Sequence, residues 1–542
     1  MELNAFEKAF GKKEIEGILS QHKELDSYVP IVTFDESKFE EAKSTLNEGQ
    51  TLLFDALIRF INTPEAEYFT IEGYAGTGKT YAISKFVSVI TSKVAVTAPT
   101  NKAVKVLADN GELKGTNVDY STIHKLLALK LQWQYGKRGD IPKQILVRDT
   151  FNDPHVNEYS VIILDEASML NMEVFNLLHQ EKNNSVKVIF MGDPAQIPPV
   201  NEIDSIPLLP EKRAKFRMGY YELKEIMRQG KDSQILTVAY AIRDNRFKDT
   251  DPLHKLRETG KHVIFYPERQ RKEFNDTLLE HFTSDNFKDD ANYCKLISWT
   301  NKTVDYYNKL IRERLFNTVK LQKIMVGEKL IADTSIITRQ FGGVTILFNT
   351  SDEFEVVSSE IKTMPYQLPS KSNTEELEFE GGVKGGIYLK YYRTKVKYGL
   401  SVDIQKGEHT PEADDSDPLT DVPNFEATPN GVTIEEGYSH QYIDILHEES
   451  EAIYAVLLKR LVSYGKDTKK WQPYFEMMER FAKVKYNYAI TAHKAQGSTY
   501  QIVFLVEDDI DQNRRYVERN RIKYTASTRP KLFLHIISSR NK

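Results

Sequence analysis

With 542 residues, the chain is too long for one hydrophobic core, and we expect three or four structural units. Its 40% hydrophobic and 28% charged residues are typical of a globular protein, and no run approaches the ~20 apolar residues that a membrane-spanning helix needs. The net charge of −5 argues weakly against nucleic-acid binding, and the single cysteine, Cys294, excludes an intramolecular disulfide and a cysteine-based zinc cluster, so we expect a reducing, cytoplasmic setting.

The first part of the chain predicts a helical extension followed by an α/β unit. Residues 1–44 are charged, and their apolar residues between Ala5 and His22 recur at helical spacing. From 45 to 205, four short β-branched runs alternate with loops and helical stretches: EYFTIEG, SKVAVTAPT, SVIILDEAS and VKVIFMGD. Such runs suit a parallel sheet buried on both faces. A polar turn follows each run, so we expect a site at the carboxyl ends of the strands.

A short insertion interrupts this alternation at 125–159. It contains LQWQYGKRGDIPKQ, which is basic and aromatic, and we predict a small inserted subdomain. A second alternating region begins at CKLISWT, breaks off near 335 and resumes at YNYAITAHKAQG, before ending with QIVFLVED and KLFLHIIS. We find no internal sequence repeat.

Residues 336–475, between the two parts of that second region, are predicted to be β-rich. Val, Thr and Tyr alternate with Gly turns, as in VTILFNTSDEFEVV, which indicates a small barrel or a twisted sheet. Within this stretch, Glu408–Asn430 holds seven carboxylates and no Lys or Arg. We expect an exposed acidic loop there.

GYAGTGKT fits the phosphate-binding pattern G-x-x-x-x-G-K-[ST] and lies between a predicted strand and the predicted helix YAISKFVSVI. Backbone N–H groups of such a loop surround phosphate oxygens. The residues expected to bind ATP here are Gly73, Ala75, Gly76, Thr77, Gly78, Lys79 and Thr80. Lys79 would reach the β- and γ-phosphates, and the Thr80 hydroxyl would bind Mg²⁺. The alternative, a Gly-rich turn that arises by chance, is disfavoured by the strand–helix context.

Two further strand ends supply catalytic groups. Asp165 and Glu166 follow the strand VIIL, which would place Asp165 at the metal and Glu166 near the attacking water. An acidic helix cap is the alternative for this pair. Gln196, in MGDPAQIPPV after the next strand, is an uncharged group suited to touching the γ-phosphate and reporting its loss. Together these residues predict an ATP hydrolase that uses Mg²⁺.

In chain order, nine motifs resemble those of the superfamily 1B helicases, the branch of the bacterial RecD and phage Dda enzymes. The resemblance covers about 45–205, 220–350 and 480–542, and it is specific because the motifs keep the family's order and spacing. The motifs are LNEGQ (46–50), GYAGTGKT (73–80), TAPTNKAVKVL (97–107), STIHKLL (121–127), LDEAS (164–168), GDPAQIPPV (192–200), LKEIMRQ (223–229), TAHKAQGST (491–499) and YTASTRP (524–530).

The resemblance implies an α/β fold of two RecA-like P-loop domains with parallel sheets and with ATP in the cleft between them. The first domain would span 45–205, with the insertion at 125–159 as the family's pin or wedge. The second would combine 206–335 with 476–542, and 336–475 would be an inserted SH3-like accessory domain, with its acidic loop at 408–430 away from DNA.

The resemblance also assigns roles at the cleft. Gln50 would read adenine, and Arg228 and Arg529 would be arginine fingers that stabilise charge on the γ-phosphate. For either arginine taken alone, a surface salt bridge would be the better interpretation.

Single-stranded DNA would cross the tops of both RecA-like domains. The residues implied to hold it are Thr100, Asn101, Thr122, His124, His493 and Lys494. Hydroxyls and backbone N–H groups hold phosphates without reading sequence. Some relatives have a histidine at the position of Asn101, so no base stacking is expected there, and His493 has a core histidine as its alternative. Trp133 and Tyr135 would stack on a base at the fork, or form the hairpin's own small core.

The function implied is an ATP-dependent DNA helicase that moves 5′→3′ along single-stranded DNA and unwinds duplex. Two alternatives stay open: an RNA-directed superfamily 1 helicase, and a P-loop ATPase switch without unwinding activity. We expect single-stranded and forked DNA as partners, together with replication or recombination proteins. A monomer without membrane association is expected, in the cytoplasm of a bacterial or phage-infected cell, with a role in DNA replication, recombination or repair.

Overall fold

A computed structural model of the chain describes residues 32–109, 117–134, 141–149, 152–225, 233–258, 260–340, 343–369, 387–399, 433–435 and 438–541. Three predicted features lie outside these residues: the helix at 5–22, Arg228, and the acidic loop Glu408–Asn430. Among the described residues, no helix combines the length and the apolar character needed to cross a bilayer.

The first motor unit begins with a short helix and continues through an α/β sheet. Its strands are β1 (Tyr68–Gly73), β2 (Val94–Ala98), β3 (Val118–Thr122), β4 (Leu129–Gln134), β5 (Lys143–Arg148), β6 (Val161–Leu164), β7 (Lys187–Gly192) and β8 (Gly219–Leu223). Its helices are α1 (Phe39–Lys43), α2 (Glu48–Ile61), α3 (Lys79–Val89), α4 (Asn101–Asp109), α5 (Ile123–Leu126), α6 (Met172–Glu181) and α7 (Pro210–Lys215).

Six of these strands form a parallel sheet in the order β3-β2-β6-β7-β1-β8. Successive residues of a strand enter opposite cores, as Ile162 and Ile163 do. The four predicted strands are β1, β2, β6 and β7, and all are fully buried, as their unalternating composition predicts.

The first sheet extends past the predicted boundary at 205, because β8 pairs with the edge of β1. Gly219 of β8 lies opposite Phe69, and an added Cβ would come within 2.4 Å of that ring. The sequence GYYEL mixes polar and apolar residues and does not predict a buried strand. In the structure this strand is only partly buried. The insertion at 125–159 is an antiparallel hairpin of β4 and β5, which we call the pin hairpin.

Beyond residue 233, a second motor unit surrounds an accessory unit. The strands are β9 (Val263–Pro267), β10 (Cys294–Ser298), β11 (Lys329–Ala332), β12 (Ile336–Gln340), β13 (Gly343–Phe348), β14 (Glu353–Tyr366), β15 (Ile387–Gly399), β16 (Thr433–Glu435), β17 (Tyr438–Leu446), β18 (Val484–Tyr486), β19 (Ala489–Thr491), β20 (Tyr500–Val506) and β21 (Pro530–Ser538). The helices are α8 (Gln234–Asp244), α9 (Arg271–Thr283), α10 (Asp285–Asp289), α11 (Asn301–Leu315), α12 (Glu451–Thr468), α13 (Gln472–Glu479), α14 (Ala492–Ala495), α15 (Glu507–Asp511) and α16 (Tyr516–Ser527).

The second motor unit also has a parallel sheet, in the order β19-β10-β20-β21-β9. Its strands again bury both faces, with Leu296 and Phe504 in one core and Ile297 and Val503 in the other. The prediction of two units built on parallel sheets is therefore confirmed. Ala195 and Ile197, from the loop after β7, pack into the core of this second unit and join the two.

The accessory unit is an antiparallel sheet in the order β16-β17-β15-β14-β11-β18, with a separate β12–β13 hairpin. The sequence predicts a small barrel or a twisted sheet over 336–475, and its SH3-like character stays a prediction. The observed sheet exceeds these bounds, because β11 precedes 336 and β18 follows 475. The stretch is also less β-rich than predicted, because 451–468 and 472–479 are helices. Residues such as Glu, Ala, Leu and Lys in EAIYAVLLKRLVSYGKDT favour a helix.

Candidate functional site

A cleft of about 390 Å³ lies between the two parallel sheets. The first motor unit contributes residues 74–81, the acidic pair that follows β6, and the start of the loop after β7. The second unit contributes Thr499, Thr528 and Arg529. The carboxyl ends of parallel strands therefore meet a wall from a second unit, which is where ligands bind in sheets of this type.

The phosphate-binding loop closes on the N-terminus of α3. Gly78, the residue before α3, has φ of +73°, a left-handed conformation that glycine adopts without strain. The Lys79 amine donates to the carbonyls of Gly73 (2.7 Å) and Tyr74 (3.1 Å). Burial lowers the pKa of Lys79, and the carboxylates of Asp193, Asp165 and Glu166 oppose that shift. The loop thus presents a half-buried cation and a helix N-terminus, both suited to phosphate.

Asp165 and Glu166 lie opposite this loop at the end of β6. Glu166 has φ of +51°, an uncommon conformation for a residue with a side chain, and its backbone N–H donates to Asp165 Oδ1 at 2.8 Å. Burial and the Glu166 carboxylate raise the pKa of Asp165 to about 7. A shared site for a divalent cation would relieve this repulsion.

Thr80 and Asp165 both line the cleft and both offer oxygen ligands, which Mg²⁺ prefers. Among the described residues, no group of three or more His, Cys, Asp or Glu side chains could hold a metal. Thr80 and Asp165 fit a cation held by a few protein oxygens together with phosphates, the usual arrangement for Mg²⁺ at nucleotides.

Arg529 reaches the cleft from the second motor unit, as predicted for an arginine finger. Its guanidinium donates to the carbonyls of Thr525 (2.9 Å) and Ser498 (3.2 Å) and to the Thr528 hydroxyl (2.9 Å), and the residue is only 5% exposed. This is not the surface salt bridge that we considered as the alternative. The other predicted finger, Arg228, lies outside the described residues.

Gln196 also lines the cleft and is buried. Next to it lies Gln496, which the sequence did not single out although it belongs to the TAHKAQGST motif. The Gln496 amide donates to the Ser168 hydroxyl (3.2 Å) and to the Ile197 carbonyl (3.1 Å), and its nitrogen lies 3.5 Å from Gln196 Oε1. One side chain of the second unit thus binds the loops after β6 and β7.

Gln50 is buried behind the phosphate-binding loop. Its side-chain oxygen accepts from the Asn47 backbone N–H in a capping box at the start of α2. Its amide nitrogen lies 3.4 Å from the Thr77 carbonyl and 3.5 Å from that of Gly78. Gln50 therefore contacts the loop backbone, and its predicted contact with adenine stays a prediction.

Three threonines mark the strand ends where DNA contacts were predicted. The Thr100 hydroxyl accepts the backbone N–H of Ala103 at 3.2 Å, and that of Thr122 accepts the N–H of Lys125 at 3.2 Å. In the second unit the Thr491 hydroxyl accepts the N–H of Lys494 at 3.4 Å. Each threonine caps the start of the helix that carries predicted contact residues: α4, α5 and α14.

The structure brings out a short internal repeat that the sequence analysis missed. The triplet T-N-K follows β2 at 100–102 and β10 at 300–302, and T-x-H-K follows β3 at 122–125 and β19 at 491–494. The strands β2 and β3 are neighbours, and so are β10 and β19, so the four segments occupy equivalent corners of the two sheets. A search for identical triplets after apolar runs would have found it.

Hydrogen bonds to one carboxylate hold the backbone at the Thr300 corner. The Asp509 carboxylate accepts from the backbone N–H groups of Trp299 (2.9 Å) and Thr300 (2.8 Å) and from the hydroxyls of Ser298, Thr300 and Thr303 (2.6–2.7 Å). Five hydrogen bonds to one carboxylate fix the backbone conformation of this corner. Thr300 was not among the predicted contacts.

Burial affects the ionisation of the two predicted histidines in the same way. Burial lowers the pKa of His124, which also bonds to the backbone of Pro99, and burial lowers the pKa of His493. Burial therefore favours the neutral form of both imidazoles. A neutral imidazole can contact a strand through a hydrogen bond or by stacking.

Carboxylates of the accessory unit approach the predicted strand-binding residues. Lys494 Nζ lies 2.7 Å from Asp333 Oδ1. Lys102 Nζ, one residue after Asn101, lies 2.6 Å from Glu353 Oε1. The accessory unit thus contacts the corners of both motor units where DNA contacts were predicted.

Trp133 of the pin hairpin packs on α13 of the accessory unit. Its ring stacks on Phe475 with centroids 4.5 Å apart and planes 16° apart, and its Nε1 donates to Glu479 Oε1 at 3.0 Å. It therefore neither belongs to a core of the hairpin alone nor presents both faces to solvent. Tyr135 lies outside the described residues.

Family models and known proteins match parts of both motor units. A model described as an AAA domain matches residues 45–262, and one described as a UvrD-like helicase C-terminal domain matches 486–537. The chain is 26% identical to an uncharacterized protein of Acanthamoeba polyphaga mimivirus, over 89% of this chain and 98% of that protein. It is 23% identical to the ATP-dependent DNA helicase dda of Enterobacteria phage T4, over 85% of this chain and 92% of dda. A crystal structure of the Pif1 helicase from Bacteroides with ADP-AlF3 and ssDNA aligns at 14% identity and a TM-score of 0.40, covering 91% of this chain and 94% of that one.

Proposed function

We infer that this chain, which is a superfamily 1B helicase, hydrolyses ATP to move 5′→3′ along single-stranded DNA and to unwind the duplex ahead of it. One observation supports this most strongly: the cleft has two faces. The first motor unit supplies Lys79, Asp165 and Glu166, and the second supplies Arg529. A kinase or a simple nucleotide switch has no need of this second face.

The roles at the cleft follow from chemistry and position. Lys79 and the loop N–H groups hold the phosphates of ATP, and Glu166 accepts the proton of the attacking water. Mg²⁺, held by Thr80 and Asp165, would neutralise charge on the phosphates. Arg529, and Arg228 if it reaches the same cleft, stabilise the charge that develops on the transferred group.

Strand binding uses the equivalent corners of the two units. Hydroxyls, amides and backbone N–H groups at Thr100, Asn101, Thr122 and Thr491 hold phosphates without selecting a sequence, as a motor that moves along DNA requires. His124, His493 and Lys494 belong to the same turns. Closure of the cleft on ATP brings the two sets of corners together, and opening after hydrolysis separates them.

Gln496 physically links the ATP cleft to the strand-binding corners. It binds Ser168 and Ile197 near the γ-phosphate end of the cleft, and its neighbour Gly497 packs between Thr100 and Glu166, where a Cβ would lie 4.0 Å from each. A change at the cleft would therefore displace the loop that directly follows the His493 turn.

Unwinding assays with 5′-tailed and 3′-tailed duplexes test the function directly. We expect unwinding of the 5′-tailed substrate alone. Unwinding of only the 3′-tailed duplex would overturn the polarity. ATPase activity without unwinding of either would favour the ATPase switch, and stronger stimulation by poly-U than by poly-dT would favour an RNA-directed enzyme.

Trp133→Ala is expected to slow the unwinding of a forked duplex and to leave poly-dT-stimulated ATPase unchanged. The substitution removes the stacking on Phe475 and the hydrogen bond to Glu479, which weakens docking of the pin hairpin by about 1–3 kcal/mol. Gln132→Ala, at an exposed neighbouring position on β4, is the matched control. An equal loss of poly-dT-stimulated ATPase would instead place Trp133 in the strand-binding surface.

Partners and setting follow the family. Forked DNA is the expected substrate, the protein acts as a monomer beside replication or recombination proteins, and its work falls within DNA replication, recombination or repair. Relatives from a virus and a phage suit a place inside an infected cell.

A further inference from the structure

The second motor unit contacts the tip of the phosphate-binding loop at a place that no predicted role explains. The Arg243 guanidinium, on α8, lies 3.5 Å from the centroid of the Tyr74 ring and 2.6 Å from Asp193 Oδ1. The Tyr240 hydroxyl, also on α8, donates to the Ala75 carbonyl at 3.0 Å. Tyr74 and Ala75 belong to the loop, and Asp193 follows β7, so all three partners belong to the first unit.

Tyr524 of α16 adds a second contact at the same place. Its hydroxyl donates to Asp193 Oδ2 at 2.5 Å and accepts the backbone N–H of Ala75 at 3.4 Å. Both oxygens of Asp193 are thus bound by groups of the second unit. Arg243, Asp193 and Tyr524 are each at most 3% exposed, so water does not compete for these bonds.

These contacts determine where the catalytic groups lie relative to one another. Arg529 follows α16 directly, only five positions after Tyr524, so the docking of Tyr524 sets the position from which Arg529 enters the cleft. On the other side, the Tyr74 carbonyl accepts from Lys79 Nζ. A chain of contacts therefore runs from Arg243 through Tyr74 to Lys79, and from Asp193 through Tyr524 to Arg529.

A role in stability alone does not explain the choice of residues. A buried ion pair contributes little net stability compared with apolar residues of the same size, but it fixes one geometry because each charge must meet its partner. Here the pair joins two units that must move relative to each other during turnover. The planar guanidinium can stack on Tyr74 and bind Asp193 at once, which an ammonium cannot do.

We propose that Arg243 is a positioning residue for ATP hydrolysis: it clamps Tyr74 and Asp193 so that the phosphate-binding loop and Arg529 meet in one geometry. This rests on the proposed ATPase function of the cleft, but not on the nature of the nucleic acid.

The test compares kcat and KM for ATP in Arg243→Lys, Tyr74→Ala and the double variant, each with and without poly-dT. We expect each single variant to lower kcat about ten- to a hundredfold, as a misplaced catalytic group does, with KM near the wild-type value. The double variant should show no further loss of kcat, because both changes remove the same contact, that of the Arg243 guanidinium with the Tyr74 ring. Arg59→Lys, at an exposed position on α2, is the matched control and should keep the wild-type kcat.

Tyr74→Ala leaves no buried charge unpaired, so it tests the clamp even if an Arg243 variant folds poorly. Wild-type kcat in both single variants, additive losses in the double variant, or a loss confined to KM would each overturn the proposal. A wild-type chain that hydrolyses ATP without unwinding DNA would refute the helicase function and leave this test intact.

Discussion

Arg529→Lys and Arg529→Ala are expected to lower the ATPase kcat by up to about 10³–10⁵-fold, the range known for arginine fingers. The guanidinium stabilises charge that develops only in the transition state, so the affinity for ATP should change far less than kcat. Arg529→Lys keeps the charge and loses the planar fork, and it should therefore rescue only a small part of the loss. Single-turnover hydrolysis and binding of a fluorescent ADP analogue would separate the two effects.

Arg514→Ala is the control for this prediction, since Arg514 is exposed and lies just before α16. Arg529 also donates to the carbonyls of Ser498 and Thr525, so its loss removes a donor from each, and only the Thr525 carbonyl keeps another donor, the Thr528 hydroxyl. Thermal unfolding must therefore be measured for both Arg529 variants. A folded Arg529→Lys protein with wild-type kcat would show that the guanidinium is structural.

Glu166→Gln is expected to reduce DNA-stimulated hydrolysis by about 10²–10⁴-fold, the usual contribution of a general base. The amide keeps the size and most of the hydrogen-bonding capacity of the carboxylate but cannot accept the proton of the attacking water. The substitution also removes the repulsion that raises the pKa of Asp165, so nucleotide binding should persist. The measurement is kcat with poly-dT, alongside ADP-analogue affinity.

Glu173→Gln serves as the control for the general base, because Glu173 is an exposed carboxylate in the first turn of α6. Its turnover should match wild type. Normal hydrolysis by a folded Glu166→Gln protein would remove Glu166 from the mechanism and leave the proton acceptor to be found elsewhere in the cleft.

The sequence was sufficient to predict the elements that depend only on residues close together in the chain. A buried parallel strand needs a short apolar run, and a phosphate-binding loop needs glycines and lysine at fixed spacing, so β1, β2, β6 and β7 and the Gly73–Thr80 loop were all recognisable. The strand β8 was missed because an edge strand with one partner tolerates polar residues, and GYYEL has no apolar run.

The contacts between units were not predictable in the same way. Arg243 lies in an ordinary amphipathic helix, and only the fold brings it to Tyr74 and Asp193, which lie far away in sequence. Gln496 was quoted within a motif, but its bond to Ser168 depends on how the two sheets dock. Long-range partners of this kind leave no periodicity, so a single sequence does not reveal them.

The central position of β21 in the second sheet affects how the protein folds during its synthesis. It lies between β20 and β9, and among the described strands β9 pairs with β21 alone. On the ribosome, Val263–Pro267 emerges long before Pro530–Ser538, so the second sheet stays incomplete while the accessory unit is synthesised. The nascent chain then exposes apolar strand edges, which are sites for chaperones and for aggregation. Fragments that end before residue 530 should therefore be far more sensitive to protease across the second motor unit than across the first.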